Sequence, residues 1–215
     1  MMSLKDDLPK PLHPLSSSPP IMQSLTLPVE VVEGVVDCCS GDATTLLAFS
    51  LTCRDIHPRS ILVLYTHVEL EDRDQLFDFC DALKAKPERQ PIVQSLLIYG
   101  EDFAPYPLLS MLPALRHIKF EGGGEQSILQ WYPSTLLCCR RSGSSIRNLT
   151  IRDYTFSTCT AFLRILSAFP TIENLACMSL YVEKKGEANP LVQKSLSRQL
   201  RLRTLNVSVS TVVSV

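Results

Sequence analysis

Three regimes of hydrophobic patterning divide the 215-residue chain. Residues 1–24 have no apolar period. Pro9, Pro11, Pro14, Pro19 and Pro20, with Ser16-Ser17-Ser18, disfavour helix and ladder alike and predict an extended, solvated tail. Residues 25–68 switch to helical spacing, with Val31, Val32, Val35, Val36 and Cys39 forming an apolar stripe behind Pro28. Pro28 suits a first helical turn, and Thr26 is placed to cap it. The valines and Gly34 are mediocre helix formers, so packing rather than propensity must hold this helix. Ser40-Gly41-Asp42 ends it and caps a second helix, Ala43 to about Cys53, with Leu46, Leu47, Ser50 and Leu51 assigned to one face. Pro58 opens a third segment, Arg59–Tyr65.

The third regime, residues 69–215, alternates strands with helices. A short strand at Val68-Glu69-Leu70 precedes a helix from about Asp72 to Ala85, apolar at Leu76, Phe77, Cys80 and Leu83 and stopped by Pro87. A hexad, apolar-x-x-apolar-x-apolar, then recurs from Val93, Leu115, Ile146, Ile172 and Leu202. Helix-like runs lie between the copies: Leu108–Leu112, Ser127–Cys138, Cys159–Ala168 and Pro190–Leu200. A strand-plus-helix unit repeated at this period predicts stacked, leucine-rich-repeat-like units sharing one continuous core. The residues between the apolar positions then share the opposite strand face, and Tyr99, His117, Lys119, Asn148, Arg152 and Asn174 on it are candidates for holding a protein target.

Leu27-Pro28-Val29-Glu30-Val31-Val32, the pair Leu46-Leu47 and Thr52-Cys53-Arg54 resemble the F-box. That resemblance implies docking on a Skp-type adaptor of cullin–RING (SCF-type) ubiquitin ligases, with adaptor contacts expected at Leu27, Pro28, Val32, Leu47 and Leu51. F-boxes usually carry a Trp shortly after the Cys-Arg pair. Here the positions read Asp55-Ile56-His57, and Trp131 is the sole tryptophan. The irregular repeats resemble those that follow F-boxes in many fungal F-box proteins. The Asn common further along the repeat consensus is replaced by Glu101, Gly123, Tyr154 and Leu180. The expected fold is therefore α/β: a three-helix F-box-like unit, then an irregular leucine-rich-repeat-like solenoid with parallel strands. An unrelated open α/β sheet would also set parallel strands under helices. The helical unit also reads as the first layer of a larger helical core, or as a cap on a repeat scaffold.

Composition narrows the function classes. A net charge of −1, with 21 basic and 22 acidic residues, argues against a nucleic-acid surface. No apolar run reaches the roughly 20 residues of a membrane helix, and Met1–Lys10 lacks a signal-peptide core. Eight cysteines without Cys-x-x-Cys or zinc spacing read as free thiols in a reducing compartment, cytoplasmic or nuclear. The four histidines form no recognisable triad. Gly122-Gly123-Gly124 lacks the Lys-Ser/Thr of a phosphate loop and reads as a flexible turn, and Ser142–Ser145 is no nucleophile elbow. No cofactor, metal or catalytic activity is expected. Two glycosylation-like triplets, at Asn148 and Asn206, fall in expected strands and are discounted. The alternating Val207–Val215 reads as a shortened chain or an edge covered by something else, which predicts poor solubility without a partner.

Overall fold

The structure, a computed structural model, describes residues 27–100, 105–123, 127–129, 131–184, 194 and 200–208. The tail, the Thr26 cap, the expected helix over Pro190–Leu200 (save Lys194 and Leu200) and residues 209–215 lie outside the described residues.

Three ten-residue helices come first: α1 (Val29–Cys38), α2 (Ala43–Thr52) and α3 (His57–Thr66). Pro28 sits just before α1 in extended conformation, one step outside the expected first turn. Asp42 caps α2 through the Thr45 N–H at 3.0 Å. The third helix starts earlier than expected, at His57, because Pro58 falls in its first turn, where a missing N–H costs nothing.

From His67 the chain enters a six-stranded, all-parallel sheet: β1 (His67–Leu70), β2 (Ser95–Tyr99), β3 (His117–Glu121), β4 (Asn148–Thr158), β5 (Asn174–Lys184) and β6 (Thr204–Ser208). The strands neighbour one another in chain order, with no switch point. Register is regular: His67, Ser95, His117, Asn148, Asn174 and Thr204 are successive partners. From β2 onward a backbone bond to the preceding turn recurs just before the strand, starting with the Gln94 N–H on the Thr66 carbonyl at 3.1 Å. The Gln94 carbonyl accepts from Arg116 and His117 N–H at 2.9 and 3.0 Å, and the Arg116, Arg147 and Glu173 carbonyls do the same for the next turn.

Apolar hexad positions all turn to one side. Val93, Leu96, Ile98, Leu115, Ile118, Phe120, Ile146, Leu149 and Ile151 are fully buried. The helices covering them feed the same core: α4 (Arg73–Ala85) through Leu76, Cys80 and Leu83, α6 (Pro133–Ser142) through Cys139, and α7 (Cys159–Ser167) through Ile165 and Leu166. Each such side chain contributes about 1.5–3 kcal/mol of burial. The last copy departs: Leu202 before β6, and Leu205 and Val207 on it, stay exposed, Leu205 by 61%.

Two expected helices change. Ser127–Leu129 is extended, bridging Ile128 to Thr155 of β4, and α6 begins only at Pro133, because proline inside a helix removes a bond and clashes with the preceding turn. Leu108–Leu112 shrinks to one turn, α5 (Tyr106–Leu109), closed in by Pro105 and Pro113. Gly122 is not a loose turn. Its N–H donates to Arg152 O at 2.9 Å, and a Cβ there would stand 2.1 Å from Asp153 O. Asp153 and Ser179 face each other across β4 and β5 with φ of 56° and 51°, so the two strands kink together.

Candidate functional site

Two surfaces stand out, one on the helical unit and one on the open side of the sheet. In the helical unit, α1 and α2 both pack on α3. Its core is small: Val36, Leu46 and Val63 are buried, with Cys39, Phe49, Ile56 and Leu64 half-buried around them. Ile56 thus occupies part of the interior near the place where the F-box pattern carries its Trp. Polar clasps hold the helices. Arg59 forks onto Asp37 from Nε at 2.7 Å and Nη2 at 2.5 Å, and this hydrogen-bonded guanidinium holds the Asp37 carboxyl below its usual range. His57 Nδ1 lies 2.7 Å from the Ser50 carbonyl.

Outside this core the apolar residues are uncovered. Leu27 is 59% exposed, Leu47 49% and Leu51 85%. Pro28 is also exposed, and Val32 is half-buried. The single face expected on α2 splits: Leu46 and Ser50 turn inward, whereas Leu47 and Leu51, about 100° further round the helix, turn to solvent. On α1 the valine stripe splits the same way, Val36 inward and Val29, Val31 and Val35 outward, with Leu62 of α3 exposed as well.

On the sheet, the strand residues between the buried positions form cross-strand rows. The first row is a polar ladder. His117 Nε2 lies 3.5 Å from Asn148 Nδ2, Asn174 Nδ2 donates to Asn148 Oδ1 at 2.6 Å, and Thr204 Oγ1 donates to Asn174 Oδ1 at 2.5 Å. The third row runs Tyr99, Glu121, Arg152, Met178. Glu121 is its hub, taking Lys119 Nζ at 2.5 Å and Arg152 Nη1 at 3.3 Å, while Arg152 Nε also reaches Asp153 at 3.1 Å. All six residues singled out from the sequence, Tyr99, His117, Lys119, Asn148, Arg152 and Asn174, therefore lie on one face, and five of them are tied into these two networks. Tyr99 joins by register alone, opposite Glu121. The charges on this face largely cancel, which suits hydrogen-bonded recognition better than long-range attraction.

Comparison with protein-family models, curated proteins and solved structures returns no match. What these surfaces do must be argued from their geometry.

Among the described residues no group of three or more His, Cys, Asp or Glu side chains is placed to hold a metal ion, and no helix is long and apolar enough to cross a membrane. The eight cysteines are free thiols. Burial pushes Cys139 up to about 12 and Cys177 up to about 11, opposite to what a thiolate nucleophile needs.

Three features escaped the sequence reading. The hexad has an earlier copy, Tyr65-x-x-Val68-x-Leu70, which feeds β1, and its spacing alone was a sufficient signal. A charged chain, Arg147–Glu173–Arg203, links neighbouring turns at 3.5 and 3.1 Å. These residues share the second hexad position with alternating sign. A cavity beside Trp131 had no sequence signal, because it depends on how α6 and α7 diverge.

Proposed function

We propose that this chain is a non-catalytic substrate-recognition subunit. Its helical unit docks on a Skp-type adaptor of a cullin–RING ubiquitin ligase, and its sheet holds a protein target near the transfer machinery. It works in the cytoplasm or nucleus and contributes proximity rather than chemistry. One observation carries the reading: a helical unit with three buried apolar residues leaves at least seven large ones uncovered, Leu27, Val29, Val31, Val35, Leu47, Leu51 and Leu62. So many exposed apolar side chains on so small a unit suit an interaction site. F-box-like residue order from Leu27 to Arg54 supports the choice of adaptor as partner.

For the remainder, the leucine-rich-repeat-like reading is supported by strands that neighbour in chain order and by the bond that recurs before each one from β2 onward. Tyr154 stands at the consensus Asn position of its repeat. Its buried hydroxyl donates to Gly100 O at 2.5 Å, with Glu121 O at 3.3 Å, so it spans two neighbouring turns as a ladder side chain would. The polar strand face, with Tyr99, His117, Lys119, Asn148, Arg152 and Asn174, is the proposed target surface.

A second reading, a repeat scaffold whose helices only cap the sheet, is favoured by one contact. α3 runs straight into β1, and Tyr65 at its end packs on the sheet's core, held by Arg89 Nη1 at 2.6 Å. Co-purification of the full chain with a Skp-type adaptor separates the two. Leu27→Asp and Leu51→Asp each charge an exposed side chain, so the fold, followed by Trp131 emission, is expected to persist while adaptor capture drops at least about tenfold. A wild-type chain that ignores the adaptor at micromolar concentration leaves the capping role.

A further inference from the structure

The cavity lined by α6 and α7 has a volume of about 720 Å³, within the range of small-molecule sites. It lies outside both surfaces described above and shares no residue with them. Among the described residues its wall combines apolar and cationic groups without a carboxylate. Trp131 and Ile165 supply apolar lining, Leu137 and Tyr132 stand exposed at it, and Arg140 and Arg164 bring two guanidiniums from neighbouring helices.

Arg59, Arg89, Arg116, Arg147, Arg152 and Arg203 each hold a carboxylate, hydroxyl or carbonyl. The guanidiniums of Arg140 and Arg164, like those of Arg54, Arg141 and Arg201, hold none among the described residues, so what sets the pair apart is the cavity they share. The hydroxyls beside them are already engaged: Thr158 Oγ1 accepts the Ala161 N–H at 3.1 Å, and Ser167 Oγ donates to Arg164 O at 2.6 Å. Neither α6 nor α7 has an acid in its first turn, so the helix starts near the cavity add to its positive field. The Trp131 indole N–H is buried with no partner among the described residues. Its ring is fixed edge-on against Phe120 at 5.1 Å and Phe169 at 6.1 Å, so the wall is rigid. Two surface arginines alone would be solvated and mean little. Two that share an apolar cavity without a compensating acid form a receptor for charge and hydrocarbon together.

We infer that the α6–α7 cavity binds a small amphipathic anion, its carboxylate or phosphate head on Arg140 and Arg164 and its apolar body against Trp131 and Leu137. This site stands whether or not adaptor binding does. Because Trp131 is the sole tryptophan, its emission reports the cavity directly in the full chain.

Dodecanoate is expected to shift Trp131 emission saturably below about 1 mM. Dodecanol, which has the chain without the charge, is expected to bind at least about tenfold more weakly. Arg140→Gln with Arg164→Gln should lower dodecanoate affinity by a similar factor. The unliganded emission and melting temperature should change little, since neither guanidinium holds a hydrogen bond or ion pair among the described residues. Equal binding of dodecanol, full binding by the double variant, inorganic phosphate binding as tightly as dodecanoate, or no saturable change at all would each overturn the inference. Phosphatidylglycerol vesicles carry the same chemistry in a bilayer. Sedimentation of the chain with them would assign the arginines to a membrane surface and overturn a soluble ligand.

Discussion

Gly122→Ala tests how closely β3 and β4 are fitted where β4 kinks. An added Cβ would stand 2.1 Å from Asp153 O, 2.9 Å from Ser127 Cβ and 3.0 Å from Asp153 C. Comfortable heavy-atom contact begins at about 3.5 Å. Two of these atoms are backbone, and Asp153 is already held at φ 56°, so no side-chain rotation relieves the overlap. The end of β3 must move away, which breaks the Gly122 N–H bond to Arg152 O. Overpacking of this kind costs about 1–3 kcal/mol, and the lost hydrogen bond adds roughly 1 kcal/mol. A total near 3 kcal/mol corresponds to a melting temperature about 6–12 °C lower for a chain of this size. Trp131, packed on Phe120 two residues before the glycine, is the natural fluorescence probe. Gly123→Ala is the control: its nearest neighbour would be Ser127 Oγ at 3.5 Å, an ordinary contact, so a change within about 0.5 kcal/mol is expected. A Gly122→Ala protein melting within about 2 °C of wild type, or a Gly123→Ala protein that loses as much, would refute the close fit.

Two further outcomes follow from burial and propensity. At about pH 8, thiols shifted to about 12 and about 11 leave Cys139 and Cys177 as thiolate only about once in 10⁴ and 10³ molecules. Labelling followed by mass spectrometry should modify exposed Cys38, Cys53 and Cys138 first and spare Cys80, Cys139 and Cys177 until the chain unfolds. Fast labelling of Cys139 would contradict the packed core. Gly34→Ala meets nothing within 4 Å in the middle of α1 and should stabilise that helix by about 0.8–1 kcal/mol. Amide exchange in α1 should slow by about four- to five-fold, and no slowing would mean that α1 is not a formed helix in the free chain.

The hexads were legible because period and burial coincide: Leu96, Ile98, Leu149 and Ile151 point inward for the reason their spacing gave. Helix starts were legible where a side chain caps them, as Asp42 and Asp72 do. What failed depended on distant neighbours. Ser127–Leu129 has a helical apolar pattern, but β4 extends beyond β3 and the segment bonds to Thr155 N–H through Ser127 O at 2.7 Å. Three consecutive glycines suggested freedom, whereas a Cβ at Gly122 would meet the Asp153 backbone at 2.1 Å. On α2, four residues grouped as one face fall on two, Leu46 and Ser50 buried and Leu47 and Leu51 about 100° further round and exposed. The polar strand face was legible as a face. Its internal bonding was not, because Asn148 and Asn174 meet only once the register is fixed.

The helical unit and the sheet differ in self-sufficiency, and that difference bears on function. Three buried apolar side chains are a small core for a unit of about forty residues, a length at which folding alone is marginal. The unit therefore depends on what lies next to it. One support is internal: α3 continues into β1, and Tyr65 is clasped by Arg89, whose guanidinium lies 4.7 Å from its ring centroid, and by Phe79 at 5.9 Å. That support reaches α3 directly but reaches α1 and α2 only through their contacts with α3. The uncovered Leu27, Val31, Leu47 and Leu51 are then both the missing part of the unit's core and the surface a partner would cover. Binding there would stabilise the helices by mass action, about 2.7 kcal/mol at a hundredfold excess over Kd. The sheet, whose core is already closed from β1 to β5, would gain nothing. A helical unit that a partner could complete, joined to a sheet whose core is closed without one, is the division of labour the proposed recruiting subunit requires.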